Sequence, residues 1–311
     1  MENKCSKIEN DWVWKGPEID GITQSILREF LVCRERARIK LALGLKPVEH
    51  FSPKLAYGRL FHACLDGMLN EEFKALCQSY PEFVEQLTFW KRIAQEQAKS
   101  YLEVYKNSKE PILASELVFD VKLDKFRLRG KVDGLIEKEK KLWVVERKTT
   151  SKFDESEIIS RVSFDLQTGF YLVALTQEGM QIGGVYYDVV KRPLSGGKYS
   201  FRQRVNENPE EYLQRIVETF YTDPEYYFNR YAVVIIPEYI EKFKQKCLLP
   251  LLHEINIWYK ARAKKHHWIT PIGVTKRYRD SLDEYIESEG AVDIALEPFK
   301  LFSELEEEYG D

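Results

Sequence analysis

The sequence predicts an α/β fold: a central mixed β-sheet flanked by helices, with N-terminal helices before it and a helical C-terminal extension after it. Three observations predict it. Apolar residues recur at helical spacing over the first hundred residues, the period shortens to that of strands from Ile112, and helix and strand alternate after about residue 160. With 44% hydrophobic and 13% aromatic residues in 311, the chain carries enough apolar surface for a sizeable core. There is no internal repeat, glycine-rich phosphate loop or G-x-S-x-G elbow, which argues against a solenoid, a P-loop protein or an α/β-hydrolase.

Residues 1–20 read as a leader that Trp12 and Trp14 pin to the body, 21–200 as the core with its N-terminal helices, and 201–311 as an α/β extension packed on that core. Thr23 is a candidate N-cap for a helix ending near Gly44, with Pro47 beyond. Ile26, Leu27, Phe30, Leu31, Ala37 and Leu41 form its apolar stripe. Arg28, Arg34, Arg36, Arg38 and Lys40 make it basic, which fits a solvated face and a phosphate-contacting one equally. A second helix is expected over Pro53–Ser79, carrying Arg59, His62 and Asp66 on one side. By its local pattern alone, His62 reads more often as a packed or exposed histidine than as a metal ligand, and its neighbours do not settle which. A third helix, about Glu82–Lys106, is aromatic, mixed in charge and structural.

Ile112–Val121, Phe126–Arg129, Lys131–Glu137 and Leu142–Arg147 follow as short strands. Glu116 interrupts the first, facing either solvent or the same site as Asp133. A helix over 160–178 carries Gln167 and Tyr171 four apart, hence on one face. Ile182–Val190 is a further strand, and Lys191–Lys198 is a basic lid or a plain hairpin connection. A helix over Pro209–Phe220, a strand over Tyr231–Ile236 and a long helix from Glu238 to Lys265 complete the order. The pair His266–His267 is too isolated to read as a metal site, and the tail is acidic and solvated.

Charge and cysteine content narrow the classes. The formal net charge of −3 gives no global nucleic-acid signature, so any DNA contact must come from a local patch. Five cysteines without a C-x-x-C pair argue for reduced thiols in a cytoplasmic setting and against a disulfide scaffold or zinc ribbon. The charged N-terminus has no apolar signal segment, and no run approaches the roughly 20 apolar residues that span a bilayer.

The chemistry concentrates in Gly130–Thr150, GKVDGLIEKEKKLWVVERKTT. Asp133 follows one apolar run, and Glu146 and Lys148 close another. Alternate strand residues share a face, so Glu146 and Lys148 project together and Arg147 opposite. Two carboxylates and an ammonium at a sheet edge suit a hard divalent cation and an activated water. An acid two residues from a lysine is also an ordinary ion pair.

The wider constellation decides between these. In order come YGRLFHACLDG with His62, SELVFDV with Glu116, G-x-x-D at Gly130–Asp133, E-x-K-T at Glu146–Thr149 and Q-x-x-x-Y at Gln167–Tyr171. The opening segment TQSILREFLVCRERARIKLALGL adds Ser25, Cys33 and Gly44. Over roughly residues 21–192 the chain resembles the PD-(D/E)XK nuclease superfamily, in particular its RecB-type branch, which includes CRISPR-adaptation and phage recombination exonucleases. The resemblance implies a restriction-endonuclease-like core and one or two Mg²⁺ or Mn²⁺ ions held by His62, Asp133, Glu146 and the main-chain carbonyl of Arg147. It implies Lys148 as the catalytic lysine, and Glu116 as an acid that aligns the site or serves a second ion. Gln167 and Tyr171 would contact the DNA backbone near the scissile phosphate.

Many RecB-type relatives hold an iron–sulfur cluster through one N-terminal and three C-terminal cysteines. Here Cys33 matches the first but only Cys247 lies in the C-terminal third, so no cluster is expected. Trp258, Tyr259 and Trp268 are then candidates to hold that segment by packing. The expected activity is a divalent-metal-dependent DNA exonuclease of recombination, repair or end-processing, with Ser25, Arg34, Arg36, Tyr57, Arg59 and Tyr171 along a basic and aromatic DNA-binding rim. A structure-specific endonuclease and a non-catalytic DNA-binding or assembly subunit are the alternatives. The expected partners are single-stranded DNA or duplex ends, with a single-strand annealing protein or a separate helicase, and no membrane.

Overall fold

The computed structural model describes residues 13–47, 50–106, 112–150, 165–193, 199, 202–261 and the backbone of 296–298. Its centre is a five-stranded sheet of β2 (Ile112–Leu123), β3 (Phe126–Lys138), β4 (Lys141–Thr150), β5 (Ile182–Lys191) and β6 (Phe228–Val234), in that spatial order. All neighbours are antiparallel except β4 and β5. A parallel pair needs a long crossover, and the segment between them includes the helix Leu166–Gln177. The sheet is therefore mixed, with helices on both faces. A short strand, β1 (Leu45–Pro47), pairs antiparallel with Leu296–Pro298 apart from it.

One face is covered by α1 (Gln24–Val32), α2 (Arg34–Ala42), α6 (Leu166–Gln177) and α10 (Leu249–Lys260), whose Leu27, Phe30, Leu172 and Ile255 join the core with Val144 and Val185 of the sheet. The other is covered by α3 (Pro53–Leu65), α4 (Leu69–Ser79), α5 (Val84–Tyr105) and α7 (Pro209–Thr222) around Phe61, Leu87, Trp90 and Ile216. Trp14 is fully buried, donates from Nε1 to Gly21 O at 2.9 Å and meets Tyr259 edge-on at 5.2 Å. Trp258 is buried against Phe30 at 5.3 Å. Trp12 and Trp268 lie outside the described residues, as do His266, His267, most of the 191–198 loop and the acidic tail. Among the described residues, no helix is long and apolar enough to cross a membrane.

Several elements differ from their expected extents. Thr23 Oγ1 caps Ile26 N at 3.3 Å, but the helix it starts is two helices parted by Cys33, which adopts an extended conformation at φ −159°. That single residue reorients the chain so that Ala37, Ile39 and Leu41 bury as well as Leu27 and Phe30. The expected helix over Pro53–Ser79 breaks at Gly67, whose φ of +77° ends α3 in the left-handed region that glycine tolerates. Phe126–Lys138 is one strand, because Gly130 is a packing glycine. A Cβ there would stand 2.5 Å from Phe119 Cζ. The long C-terminal helix is divided into α9 (Pro237–Phe243), a π-turn over Lys244–Leu248 and α10, with the join beside Pro250, which has no N–H to donate. A one-turn helix, α8 (Pro224–Tyr227), leads into β6 three residues earlier than the expected strand start.

Candidate active site

Two strands change faces at one place, and the candidate site lies there. In β2 the core-facing residues are Leu117, Phe119, Val121 and Leu123, all odd, yet Ala114 packs on the same core from an even position. In β3 they are Phe126, Leu128 and Val132, all even, and then Leu135, which is odd. A strand alternates faces with period two, so each has slipped by one residue. The slip falls at Glu116 and Asp133, bracketed by the pairs Ser115 with Gly134 and Leu117 with Val132. Glu116 accomplishes it at φ 51°, a left-handed conformation for a residue with a side chain.

The β3–β4 ladder ends beside it, at Gly134 opposite Val145. One residue further, Asp133 Oδ2 accepts from the Arg147 backbone N–H at 2.7 Å, and Arg147 Nη1 donates to Asp133 O at 2.8 Å. A side-chain carboxylate thus stands where a ladder carbonyl would otherwise be. Beyond that point Glu146 and Lys148 face α6. Glu146 is 4% exposed, and its Oε1 lies 2.6 Å from Lys148 Nζ. Gln167 of α6 bridges the group: its Nε2 donates to Glu146 Oε1 at 3.0 Å and to Tyr171 Oη at 3.1 Å, while its Oε1 accepts from Lys148 at 3.0 Å. Asp165 sets this helix by capping Thr168 N at 3.1 Å.

Electrostatics mark the same spot. Burial, and after it the charge of Asp133, pushes the Glu146 carboxyl up to about 7 against the pull of Lys148. Burial disfavours the Lys148 ammonium, but Glu146 outweighs it and holds the amine above its usual range. His62, half-buried on α3, is lowered by burial, with the Asp133 charge opposing. Asp66, the C-cap of α3, is pushed up to about 7 by burial and by the nearby charge of Glu116. Its Oδ1 is buried without a hydrogen-bond partner.

These donors match a hard cation in kind: an imidazole and oxygen ligands, with acids that raise one another's proton affinity and one buried oxygen left unsatisfied. Among the described residues no three of His, Cys, Asp and Glu are close enough to hold an ion as they stand. Glu146 is instead engaged by Lys148 and Gln167, and Asp133 by Arg147.

The expected DNA rim is dispersed. Tyr57 is fully buried and donates to Gln97 Oε1 at 2.6 Å, so its ring and hydroxyl lie in the core rather than on the surface. Arg36 pairs with Glu29 at 2.8 Å with its side chain 12% exposed. Arg34 pairs with Glu254, and Arg59 with Glu72 at 2.5 Å. Ser25 is exposed beside Gln24. Tyr171 is 7% exposed. The sequence pattern places Asp66 only on one face of a helix and gives it no role at the site. Its spacing from His62, four residues and so one turn, was the available signal.

A model of the PD-(D/E)XK nuclease superfamily matches residues 22–237, more than two thirds of the chain and all five sheet strands. The chain belongs to the PD-(D/E)XK nuclease superfamily. Members of that superfamily are nucleases and generally use divalent metal ions. No curated protein matches the chain. Among solved structures, a candidate exonuclease from Eubacterium rectale is 12% identical, with 93% of each chain covered and a TM-score of 0.48. The protein SSO0001 is 16% identical over 53% of this chain and 73% of its own, with a TM-score of 0.22. Similarity at this level says nothing of the activity of this PD-(D/E)XK chain.

Proposed function

We propose that this PD-(D/E)XK nuclease is an Mg²⁺- or Mn²⁺-dependent exonuclease that hydrolyses DNA from an end in recombination, repair or end-processing. What supports this reading is the gathering of Asp133, Glu146 and Lys148 where β3 parts from β4, two carboxylates and an ammonium at the open end of one ladder. His62, Asp133, Glu146 and the Arg147 carbonyl would hold the ion, with Glu116 aligning the acids. A bound divalent ion supplies positive charge to the scissile phosphate and makes a water acidic enough to attack near neutral pH. Lys148, its side chain 46% exposed, is free to swing from Glu146 toward a phosphoryl oxygen and neutralise developing charge. Gln167 keeps the Glu146 carboxylate and the Tyr171 hydroxyl oriented toward the same place. Backbone-dominated binding makes cleavage salt-sensitive and nearly sequence-independent. A single-strand annealing protein or a helicase is the partner that would deliver such ends.

The test is degradation of end-labelled linear DNA with Mg²⁺ or Mn²⁺, beside a closed circle of the same sequence. Loss of linear DNA with an intact circle supports the proposal. A cut circle makes the enzyme an endonuclease, and full activity in Lys148→Ala overturns the site.

A further inference from the structure

Behind the strand that carries Glu146 runs a buried polar row. Arg147, Asp188 and Arg230 are paired across β4, β5 and β6, Arg147 with Asp188 and Asp188 with Arg230, so their side chains share the face turned away from Lys148. Arg147 and Asp188 are 4% and 1% exposed. Arg230 grips Asp188 with both ends of its guanidinium, Nε to Oδ1 and Nη2 to Oδ2, each at 2.6 Å, and stacks on Tyr105 at 4.0 Å. Tyr101 of α5, 2% exposed, donates its hydroxyl to Asp188, accepts from Arg230 Nη2 at 3.4 Å and lies close enough to the Arg147 guanidinium to favour its charged form. Arg147 then reaches Asp133 O through Nη1 at 2.8 Å. A Cβ at Gly134 would meet Ala114 O at 3.1 Å, a tight approach, and Arg147 Nη2 at an ordinary 3.5 Å, so the guanidinium packs directly over this glycine.

A buried guanidinium is costly unless its position is used or well compensated. Here it ties Asp133, the first residue of β3 past the end of the ladder with β4. We propose that Arg147, braced by Tyr101 and Asp188, is a positioning residue that holds the Asp133 main chain and so aims the Asp133 carboxylate for divalent-cation binding. The inference rests on the proposed metal-dependent function. It assigns the guanidinium a task distinct from that of the Arg147 carbonyl: the side chain touches neither ion nor DNA, and acts through Asp133. Tyr101 transmits the constraint from α5, a helix that supplies no candidate ligand.

The test is Mn²⁺ affinity by isothermal titration calorimetry on the full chain, for the native sequence, Asp133→Ala, Arg147→Lys and Tyr101→Phe, with thermal unfolding of each in EDTA. The expected result is tight Mn²⁺ binding by the native chain, none by Asp133→Ala, and a five- to twenty-fold weakening in Tyr101→Phe and Arg147→Lys. Nuclease activity of those two would be restored by raising Mn²⁺ in proportion. Tyr101→Phe removes one oxygen and keeps the ring, so it reports even if Arg147→Lys does not fold. If the native chain binds Mn²⁺ and Tyr101→Phe binds it equally well, the positioning role is overturned while the metal-dependent function stands. If the native chain binds no Mn²⁺, both fall.

Discussion

Glu116 of β2 and Asp133 of β3 oppose each other at the one place where both strands exchange faces. Neither acid sits in regular alternation, and each is flanked by residues that do. The exchange carries both out of the pleat to the end of the β3–β4 ladder, where Arg147 meets Asp133 and Asp66 meets Glu116. A strand irregularity that gathers acids is the kind of local strain that functional sites retain.

Replacing Glu116 by glycine tests that strain. A side chain at φ 51° costs about 1 kcal/mol, while its ion pair with Lys131, with the two side chains about a third exposed, contributes about 1 kcal/mol. Glu116→Gly should therefore unfold within about 1 kcal/mol of the native chain in urea, and on the stable side of Glu116→Ala. Its nuclease activity should fall about tenfold or more. If glycine is no more stable than alanine, no strain is stored at this position.

Lys148 separates chemistry from stability. Its side chain is 46% exposed but its partner Glu146 is nearly buried and can take up a proton once the ammonium is gone, so Lys148→Met should cost no more than about 1–3 kcal/mol. Losing a donor aimed at developing charge costs about 10²–10³ in rate. Single-turnover cleavage of labelled DNA at saturating enzyme checks it, and a loss confined to binding would assign Lys148 to DNA affinity alone.

Much of this arrangement was legible in the sequence, and the exceptions share a cause. Thr23, Gln167 with Tyr171, and the strand Ile182–Lys191 announce themselves through near neighbours, which periodicity reports. Cys33 and Gly67 break helices with one residue each, and a hydrophobic stripe that continues on both sides hides the break. Tyr57 looks the same in sequence whether it lines a groove or fills a core. Only the arrival of Gln97 from forty residues away decides it. The face exchange was written in the positions of Leu117, Phe119, Val132 and Leu135, yet it becomes visible only when β2 and β3 are set in register. The brace behind Arg147 joins four elements distant in sequence, so no local pattern carries it.

The pH dependence of stability should carry a signature of Glu29. Burial alone would raise its carboxyl, but Lys40 at 2.7 Å and Arg36 at 2.8 Å outweigh it and hold the group below the usual range. A depressed folded-state value means that the unfolded chain binds more protons, so this contribution is complete above the unfolded value and is lost as pH falls through the folded one. Glu29→Gln should cost about 1–2 kcal/mol at pH 7 and less at the lowest pH at which the chain still folds, read from urea unfolding at both. An equal cost at both would mean the residue contributes packing and not charge.

The seat of His62 can be tested from one turn away. Gly58 lies four residues before His62 on α3, at the contact of that helix with β4. A Cβ at Gly58 would stand 2.8 Å from Thr149 Oγ1, closer than real Cβ atoms come, and 4.0 Å from Thr149 Cβ, which is ordinary contact. Alanine is otherwise the better helix former by about 1 kcal/mol. Gly58→Ala therefore sets a propensity gain against a clash with one oxygen. Removing that oxygen should release the gain. In a double-mutant cycle, Gly58→Ala should be neutral or destabilising by up to about 2 kcal/mol in the native background and stabilising in Thr149→Ala, a coupling of about 1–3 kcal/mol. Activity should follow the geometry and not the stability, falling in Gly58→Ala as α3 is pushed off the strand and recovering in the double variant as His62 returns. A cycle with no coupling would mean that α3 is held over β4 by something other than this contact, and that the position of His62 does not depend on it.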